Sequence, residues 1–179
     1  MKIYQYPDPI LSQISKPVNI PLNTGELDLI REMWQSVQKI GVGLAAPQVG
    51  VSKQIFIIHL SEDPDLAKTV KSPDMVIINP KIVFNSEVLT EMVEGCLSFP
   101  DEYWKIIRPA NVNMEFDTIV NFVDFLKNPK VKPIFSKKII HAKGWLARIV
   151  QHEIDHLTGK LFIKMGGEKL KNEKQSNSK

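Results

Sequence analysis

The segment QHEIDHLTG carries two histidines and a glutamate at a spacing that suits metal chemistry. His152 and His156 are four residues apart, so on a helix their imidazoles project from the same face, one turn apart. That arrangement suits two ligands of one tetrahedral metal ion, with Glu153 next to the first ligand as a general base. Two surface histidines on an ordinary helix are the alternative. We favour the metal site because Trp145 and Ile149 continue the stripe of the histidines, and we expect this tryptophan to be buried.

A catalytic site of this kind takes three protein ligands and leaves the fourth position to water, so the two histidines require a third donor. The candidates are His59 at the end of a strand, His141 ahead of the helix, and Cys96, the only cysteine in 179 residues. Asp155 falls on a different side of the helix from the histidines. A thiolate binds iron(II), zinc, cobalt or nickel strongly. A lone cysteine is also often a small buried hydrophobe, so spacing alone leaves the third ligand open.

Two amphipathic helices are predicted, one near each end of the chain. In NTGELDLIREMWQSVQKIG the apolar residues recur at three- and four-residue spacing, with Asn23 and Glu26 as a capping pair and Gly41 as the stop. The segment HAKGWLARIVQHEIDHLTGKLF predicts a helix from about Ala142 to Leu157, ended by Gly159.

The segments between the helices are typical of strands. Residues 54–60 and 75–84 are rich in β-branched residues and phenylalanine, and residues 61–74 between them have the composition of a surface loop. Residues 103–119 alternate well enough for strand pairing, whereas 121–139 contain two prolines and are ambiguous. The expected fold class is α+β, with mixed or antiparallel strands packed around a central metal-binding helix that carries HEIDH, and with an N-terminal amphipathic helix.

Composition restricts the class of protein. The length and the 43% hydrophobic content predict one catalytic domain over residues 1–165, followed by a polar, flexible tail over residues 166–179. A single cysteine forms no internal disulfide, and neither a targeting peptide nor a membrane segment is evident, so we expect a cytoplasmic protein. The net charge of +3 with no basic stripe among aromatics argues against DNA as a partner.

Three motifs together identify a family. The glycine-rich GVGLAAPQVG at 41–50 fits no phosphate loop, but it can bring backbone close to a substrate. With EGCLSFP and QHEIDHLTGKLF it closely resembles the three signature motifs of the peptide deformylases. Those enzymes remove the N-formyl group from the initiator methionine of nascent bacterial and organellar proteins. YPDPILSQISKPV and IIRPANV resemble the family as well, so the resemblance spans most of residues 3–163.

The resemblance implies a reaction and a role for each residue of the site. A metal-activated water would attack the formyl carbon, with Glu153 as general acid/base, and formate would leave. The metal, the Gln48 amide and the backbone N–H of Leu97 would hold the oxyanion. One divalent metal ion is implied, iron(II) in the cell, with zinc, nickel or cobalt possible in a purified protein. The implied metal ligands are Cys96, His152 and His156.

The resemblance also implies a substrate pocket and its support. Glu94 and Arg108 resemble an ion pair that braces the cysteine loop, with two surface charges as the alternative. The implied partners are N-formyl-Met peptides of nascent chains and the ribosome near its exit tunnel. Tyr103 departs from the family, since some members carry an arginine there that contacts the peptide. The implied substrate-binding residues are Val42, Gly43, Gly95, Trp145 and Ile149, although core packing is the alternative for Val42 and Ile149.

Two other interpretations remain open at the level of sequence. One is a different HExxH metallopeptidase, which usually recruits a third histidine or glutamate downstream, where only Glu168 and Glu173 follow. The other is a non-catalytic deformylase-like protein that binds peptides or ribosomes around a structural metal. A closed structural site normally has four protein ligands, and here only three are evident.

Overall fold

Two antiparallel sheets and three α-helices form the part of the chain described by the computed structural model, residues 1–60 and 74–170. The helices are α1 (Thr24–Ile40), α2 (Phe122–Lys127) and α3 (Gly144–Leu157). The strands are β1 (Gly43–Ala45), β2 (Ile55–His59), β3 (Asp74–Asn85), β4 (Leu89–Cys96), β5 (Phe99–Pro109), β6 (Asn111–Ile119), β7 (Phe135–Lys143) and β8 (Glu168–Lys169).

The larger sheet has the strand order β1-β2-β3-β6-β7 and lies between α1 and α3. Side chains of successive strand residues point to opposite faces. In β2, Ile55 and Ile57 therefore pack with the apolar face of α1, while Phe56 and Ile58 pack with α3. The run IFIIH is buried throughout because both faces of this strand are covered.

The smaller sheet has the strand order β4-β5-β8 and supplies the cysteine. Gly95 pairs with Tyr103, and the register then shifts so that Cys96 pairs with Phe99. The shift marks the end of the regular hairpin ladder. Cys96 thus stands where β4 leaves its partner strand.

Both long helices begin at identifiable residues. The Asn23 side chain accepts a hydrogen bond from the Glu26 N–H (3.0 Å), and Glu26 Oε2 accepts one from the Asn23 N–H (2.9 Å), so α1 begins at Thr24. For α3, the predicted start at Ala142 is wrong by two residues. Strand β7 stays paired with β6 through Lys143, and the helix begins at Gly144, whose φ of +54° favours glycine.

The antiparallel sheets and the helices confirm the predicted α+β class. The ambiguous segment 121–139 contains α2 and the start of β7, with both of its prolines between them. Residues 61–73, predicted as a surface loop, lie outside the described residues, as do residues 171–179 of the predicted tail. Within that predicted tail, Glu168–Lys169 form β8 and pair with β5.

Among residues 1–60 and 74–170, no helix has the length and apolar character needed to cross a membrane.

Candidate active site

A cleft of about 410 Å³ opens beside α3 and brings the predicted site residues together. Every predicted residue lines this cleft except Arg108 and His156, which are buried behind its wall. The lining residues among those predicted are Val42, Gly43, Gln48, Glu94, Gly95, Cys96, Leu97, Trp145, Ile149, His152 and Glu153.

The thiol and the two imidazoles come together beside the cleft, which Cys96 and His152 line and behind which His156 is buried. One ligand atom from each of Cys96, His152 and His156 lies within 4.8 Å of the other two. Cys96 Sγ is 3.2 Å from His156 Nε2. The other two candidates for the third ligand lie elsewhere, because His59 contacts Asp74 on β3 and His141 contacts an asparagine on β6.

The chemistry of these three donors fits a divalent metal ion. Ligand bonds of 2.0–2.3 Å in a tetrahedron hold neighbouring donors about 3.3–3.6 Å apart, and the Sγ–Nε2 distance is already close to that range. One thiolate and two imidazoles are the soft and borderline donors that iron(II), zinc, cobalt and nickel accept. The set therefore suits an open, three-ligand site.

The surroundings of Cys96 favour its thiolate. Burial raises the pKa of this thiol, but the charge of His156 and the hydrogen bonds from both histidines outweigh it, so the net pKa lies well below the ordinary value. The Ser98 backbone N–H (3.4 Å) and the Gln48 side-chain amide (3.5 Å) also donate to Sγ. A sulfur that accepts several donors is ready to bind a cation.

Glu153 is a buried acid next to the donor set. It is 4% exposed, and its Oε2 finds no hydrogen-bond partner among the described residues. Burial raises the pKa of Glu153 to about 7, against the opposing charges of His156 and His152. A carboxyl with this pKa can both take and give a proton near neutral pH.

The Gln48 side chain is held in one orientation. Its Oε1 accepts a hydrogen bond from the Ala45 N–H (2.8 Å), so its Nε2 points toward Ser98 Oγ (3.3 Å) and Cys96 Sγ. The residue is 2% exposed. An amide N–H is thereby fixed at the edge of the donor set, where it can donate to a reacting oxygen.

Glu94 connects the site to two buried arginines. Its carboxylate accepts from Arg108 Nε (2.6 Å) and Nη2 (2.9 Å), from Arg148 Nη1 (2.7 Å) and from His152 Nδ1 (2.8 Å). Burial raises the pKa of Glu94, but the hydrogen bonds and charges of His152 and Arg108 lower it well below its usual range. Burial likewise lowers the pKa of His152, but its bonds to Cys96 and Glu94 raise it to about 10.

Sequence reasoning missed two members of this network. Arg148 stands four residues before His152, so its place on the same helix face could have been noticed. Asp155, set aside because it lies on another side of the helix, binds Arg108 Nη1 at 2.5 Å. Its partner comes from a strand 47 residues away, and no local pattern predicts that pairing.

The walls of the cleft are partly apolar. Ile149 is buried in the core cluster and also lines the cleft. Val42 is 41% exposed, and Trp145 is 48% exposed. The expectation of a buried tryptophan is therefore wrong, because Trp145 lies in the first turn of α3 at the mouth of the cleft. Tyr103 lines the cleft opposite Gly95.

An open cleft that contains a thiol, two imidazoles and a buried acid is typical of a metal-dependent hydrolase. The downstream carboxylate that another HExxH peptidase would need is not available within residues 1–60 and 74–170, because Glu168 is exposed and pairs with Lys105 (3.1 Å).

Comparison with known proteins identifies the family. A sequence profile of the polypeptide deformylase family matches residues 1–172. Peptide deformylase 2 of Prochlorococcus marinus (strain MIT 9313) is 38% identical over 137 residues, which are 76% of this chain and 59% of that protein. The peptide deformylase of Rhizobium meliloti (strain 1021) is 37% identical over 160 residues, 88% of this chain and 79% of that protein. This chain thus spans about three fifths of the first relative and about four fifths of the second.

Solved structures agree with the sequence comparison. The crystal structure of the peptide deformylase from Ehrlichia chaffeensis in complex with actinonin has a TM-score of 0.75 and 34% identity, covering 92% of this chain and 87% of that chain. This chain belongs to the peptide deformylase family. The resemblance predicted from the three motifs is therefore confirmed, and with it the class of enzyme.

Proposed function

We propose that this chain hydrolyses the N-formyl group of the initiator methionine on nascent polypeptides and releases formate. One observation carries the proposal: the buried Glu153 carboxyl stands beside the Cys96, His152 and His156 donors in a cleft open to a peptide. A structural metal site would not need a buried acid whose Oε2 has no hydrogen-bond partner among the described residues.

The central helix α3, which carries HEIDH, would be the metal-binding helix, and Cys96, His152 and His156 would hold one divalent ion. The proposed ion is iron(II) in the cell, with zinc, nickel or cobalt in a purified protein. When bound, such an ion polarises a carbonyl and lowers the pKa of a bound water. Because one donor is a thiolate, the ion would be a milder Lewis acid than one held by three histidines, and soft sulfur suits iron(II).

Glu153 would move the proton of the reaction. As a carboxylate it accepts the proton of the attacking water, and as an acid it returns that proton to the leaving amine. Its pKa of about 7 supports both roles, since burial leaves neither form strongly favoured near neutral pH.

The oxyanion of the tetrahedral intermediate would be held by two donors of this chain, the Gln48 side-chain amide and the backbone N–H of Leu97. The fixed orientation of Gln48 supports this role, because a donor already in position needs no reorganisation during the reaction. Glu94 and Arg108 would brace the neighbouring cysteine segment and the His152 ring.

The substrate would lie along the cleft as an added strand. Backbone groups of Gly43 and Gly95 would bind the peptide, because neither residue has a side chain to obstruct its approach. Val42, Trp145 and Ile149 would contact the methionine side chain, and their apolar surfaces in the cleft wall support this assignment.

The wider setting follows from this function. We propose a single catalytic domain over residues 1–165 with residues 166–179 as a polar tail, and α1 as the N-terminal amphipathic helix that supports the larger sheet. Substrates of this kind emerge at the ribosome in the cytoplasm, which makes the ribosome near its exit tunnel the proposed partner.

Formate release from an N-formyl-Met peptide, measured without oxygen in the presence of iron(II) or nickel, tests the proposal. The wild-type protein should release formate and leave every peptide bond intact by mass spectrometry. Glu153→Gln should lower kcat/KM by about 10²- to 10⁴-fold while metal stays bound. Glu102→Gln, which changes another acid of the cleft wall, should leave the rate unchanged. An inactive wild-type protein that holds its metal, or an equally active Glu153→Gln, would contradict the proposal.

A further inference from the structure

The helix with the two histidines and the strand with the cysteine belong to different hydrophobic clusters. Among the described residues, no side chain of β4 or β5 belongs to the cluster that covers α3. The buried apolar residues of β5 pack instead in a separate small cluster, and the partly buried Cys96 packs against it. This small cluster reaches α3 through Phe162, whose ring centroid lies 5.6 Å from that of His152 and 5.2 Å from that of Phe99 on β5. A ring contact of this kind does not by itself fix the distance between Cys96 and the histidines. The residues that α3 contributes to the cluster covering it are Leu146, Ala147, Ile149, Val150 and Leu157.

The junction between α3 and the smaller sheet contains a cluster of charged side chains. From α3, Arg148 and Asp155 meet Glu94 of β4 and Arg108 of β5, so that two positive and two negative side chains balance. All four side chains are largely buried, where such contacts are directional and strong. This cluster of charges holds the two parts of the site together.

Arg148 reaches both strands from one position on α3. Its Nη2 donates to the Thr90 carbonyl of β4 (2.7 Å), and its Nη1 donates to the Ile106 carbonyl of β5 (2.9 Å) and to Glu94 Oε1 (2.7 Å). By contrast, within the described residues each of the other α3 side chains that contact this sheet reaches one strand. Asp155 and Gln151 reach β5, and His152 and His156 reach β4. The side chain of Arg148 is 3% exposed.

We propose that Arg148 is a positioning residue that fixes α3 against β4 and β5 and thereby sets the Cys96 thiol in place relative to His152 and His156. Arg148 holds Glu94 Oε1, and the other oxygen of that carboxylate receives His152 Nδ1–H. Arg108 of β5 holds both oxygens of this carboxylate against the sheet, and Arg148 ties the carboxylate to α3, so the His152 ring keeps its orientation. The inference rests on the proposed role of these three residues as metal ligands.

Cobalt(II) binding tests the inference without reference to deformylation. The dissociation constant and the thiolate-to-cobalt absorption are measured for the wild type, Arg148→Lys, Arg148→Met and Arg31→Met. Arg148→Met should weaken cobalt binding by about 10- to 100-fold and alter the absorption. Arg148→Lys keeps the charge but lacks the planar fork that reaches three acceptors together, so most of the loss should persist. Arg31→Met removes an arginine of α1 that contacts Asp28 and the Phe125 ring, and it should leave cobalt binding unchanged.

Each other outcome contradicts either the inference or the proposed function on which it rests. Wild-type cobalt binding in Arg148→Met would exclude a positioning role, and full recovery in Arg148→Lys would show that charge alone matters. If neither variant folds, as judged by thermal unfolding of the metal-free protein, Arg148 is required for folding, and a specific role in positioning the metal ligands is excluded. A wild-type protein that binds no cobalt would overturn the proposed ligand set as well. A protein that binds cobalt through sulfur but releases no formate would overturn only the proposed reaction.

Discussion

Gly43 lies directly against the Glu153 carboxyl, with no space for a side chain between them. A Cβ at Gly43 would overlap Glu153 Oε1 and stand 2.9 Å from its Cδ. Gly41, in the same wall of the cleft, has no such neighbour, because its Cβ would come no closer than 3.9 Å to the Leu97 side chain. The backbone of β1 therefore limits where the buried acid can be.

Gly43→Ala should displace the Glu153 carboxyl and lower kcat/KM by about 10²-fold, the cost of an error of about 1 Å at a reacting group. The proposed metal donors are on β4 and α3 and not on β1, so cobalt(II) binding should stay within about twofold of wild type. Formate release and cobalt titration on the same sample measure the two effects.

Gly41→Ala is the matched control, because it adds the same methyl group to the same wall where there is room. Its kcat/KM should stay close to that of the wild type. If kcat/KM fell equally in the two variants, an added methyl group would be harmful at either position of this wall. The contact with Glu153 would then not be the cause of the lower kcat/KM in Gly43→Ala.

Cys96 should react as a thiolate in the metal-free protein. The His156 charge and the hydrogen bonds from both histidines lower its pKa despite burial. Iodoacetamide at pH 6.5 should therefore modify native metal-free protein faster than the same chain unfolded in urea, where the thiol has its ordinary pKa of about 8.5. Mass spectrometry follows the single adduct.

A divalent metal should block this alkylation, because the sulfur is then a ligand. An alkylation rate that rises only near pH 8.5 in the native protein would contradict the lowered pKa of Cys96. Equal rates with and without bound metal would remove Cys96 from the ligand set.

Sequence reasoning succeeded where a short motif fixes the local geometry. The four-residue spacing of His152 and His156 needs only a helix to place both rings on one face, and the capping pair of Asn23 and Glu26 marks the start of α1. The strands also followed from local composition, since Ile55–His59 is buried on both faces and reads as a continuous apolar run.

What the sequence left open depends on pairings between distant segments. Residue spacing alone could not choose the third donor among Cys96, His59 and His141, because that choice depends on the register of β4 and β5. Arg148 was missed for the same reason, because two of its three acceptors are backbone carbonyls that carry no sequence signal. Trp145 was expected to be buried because helical periodicity places it on the same face as the histidines. Periodicity does not show that the first turn of this face extends beyond the core, where Trp145 is exposed.

Cys96→Ser should weaken iron(II) binding by at least about tenfold and abolish the thiolate-to-cobalt absorption, because a serine hydroxyl is a poor ligand for these metals. Metal content after dialysis, together with the cobalt spectrum, measures both. Ser98→Ala is the control, since it removes a neighbouring hydroxyl that contacts Gln48 and leaves the sulfur in place. Unchanged iron affinity in Cys96→Ser would contradict the assignment of the thiolate as a ligand.

Glu94 should make the stability of the metal-free protein depend on pH. Although burial raises its pKa, the hydrogen bonds from His152 and Arg108 lower it well below the unfolded value of about 4.3. A depressed carboxyl pKa stabilises the fold above the unfolded pKa, and that contribution is lost as the pH falls toward the folded pKa. The loss for one such group approaches about 1.4 kcal/mol per pH unit.

Urea unfolding of metal-free wild type and Glu94→Gln at pH 7, 5, 4 and 3 measures this contribution. At pH 7 the free energy of unfolding of Glu94→Gln should be lower by about 3 kcal/mol, because two buried arginines lose their shared carboxylate. The difference should stay constant down to pH 5 and narrow below about pH 4.3, where the unfolded wild type takes up a proton that Gln cannot bind. Glu32→Gln, which changes an exposed acid of α1, should follow the wild type throughout. A gap between wild type and Glu94→Gln that is the same at pH 3 as at pH 7 would mean that the carboxylate's charge does not stabilise this network.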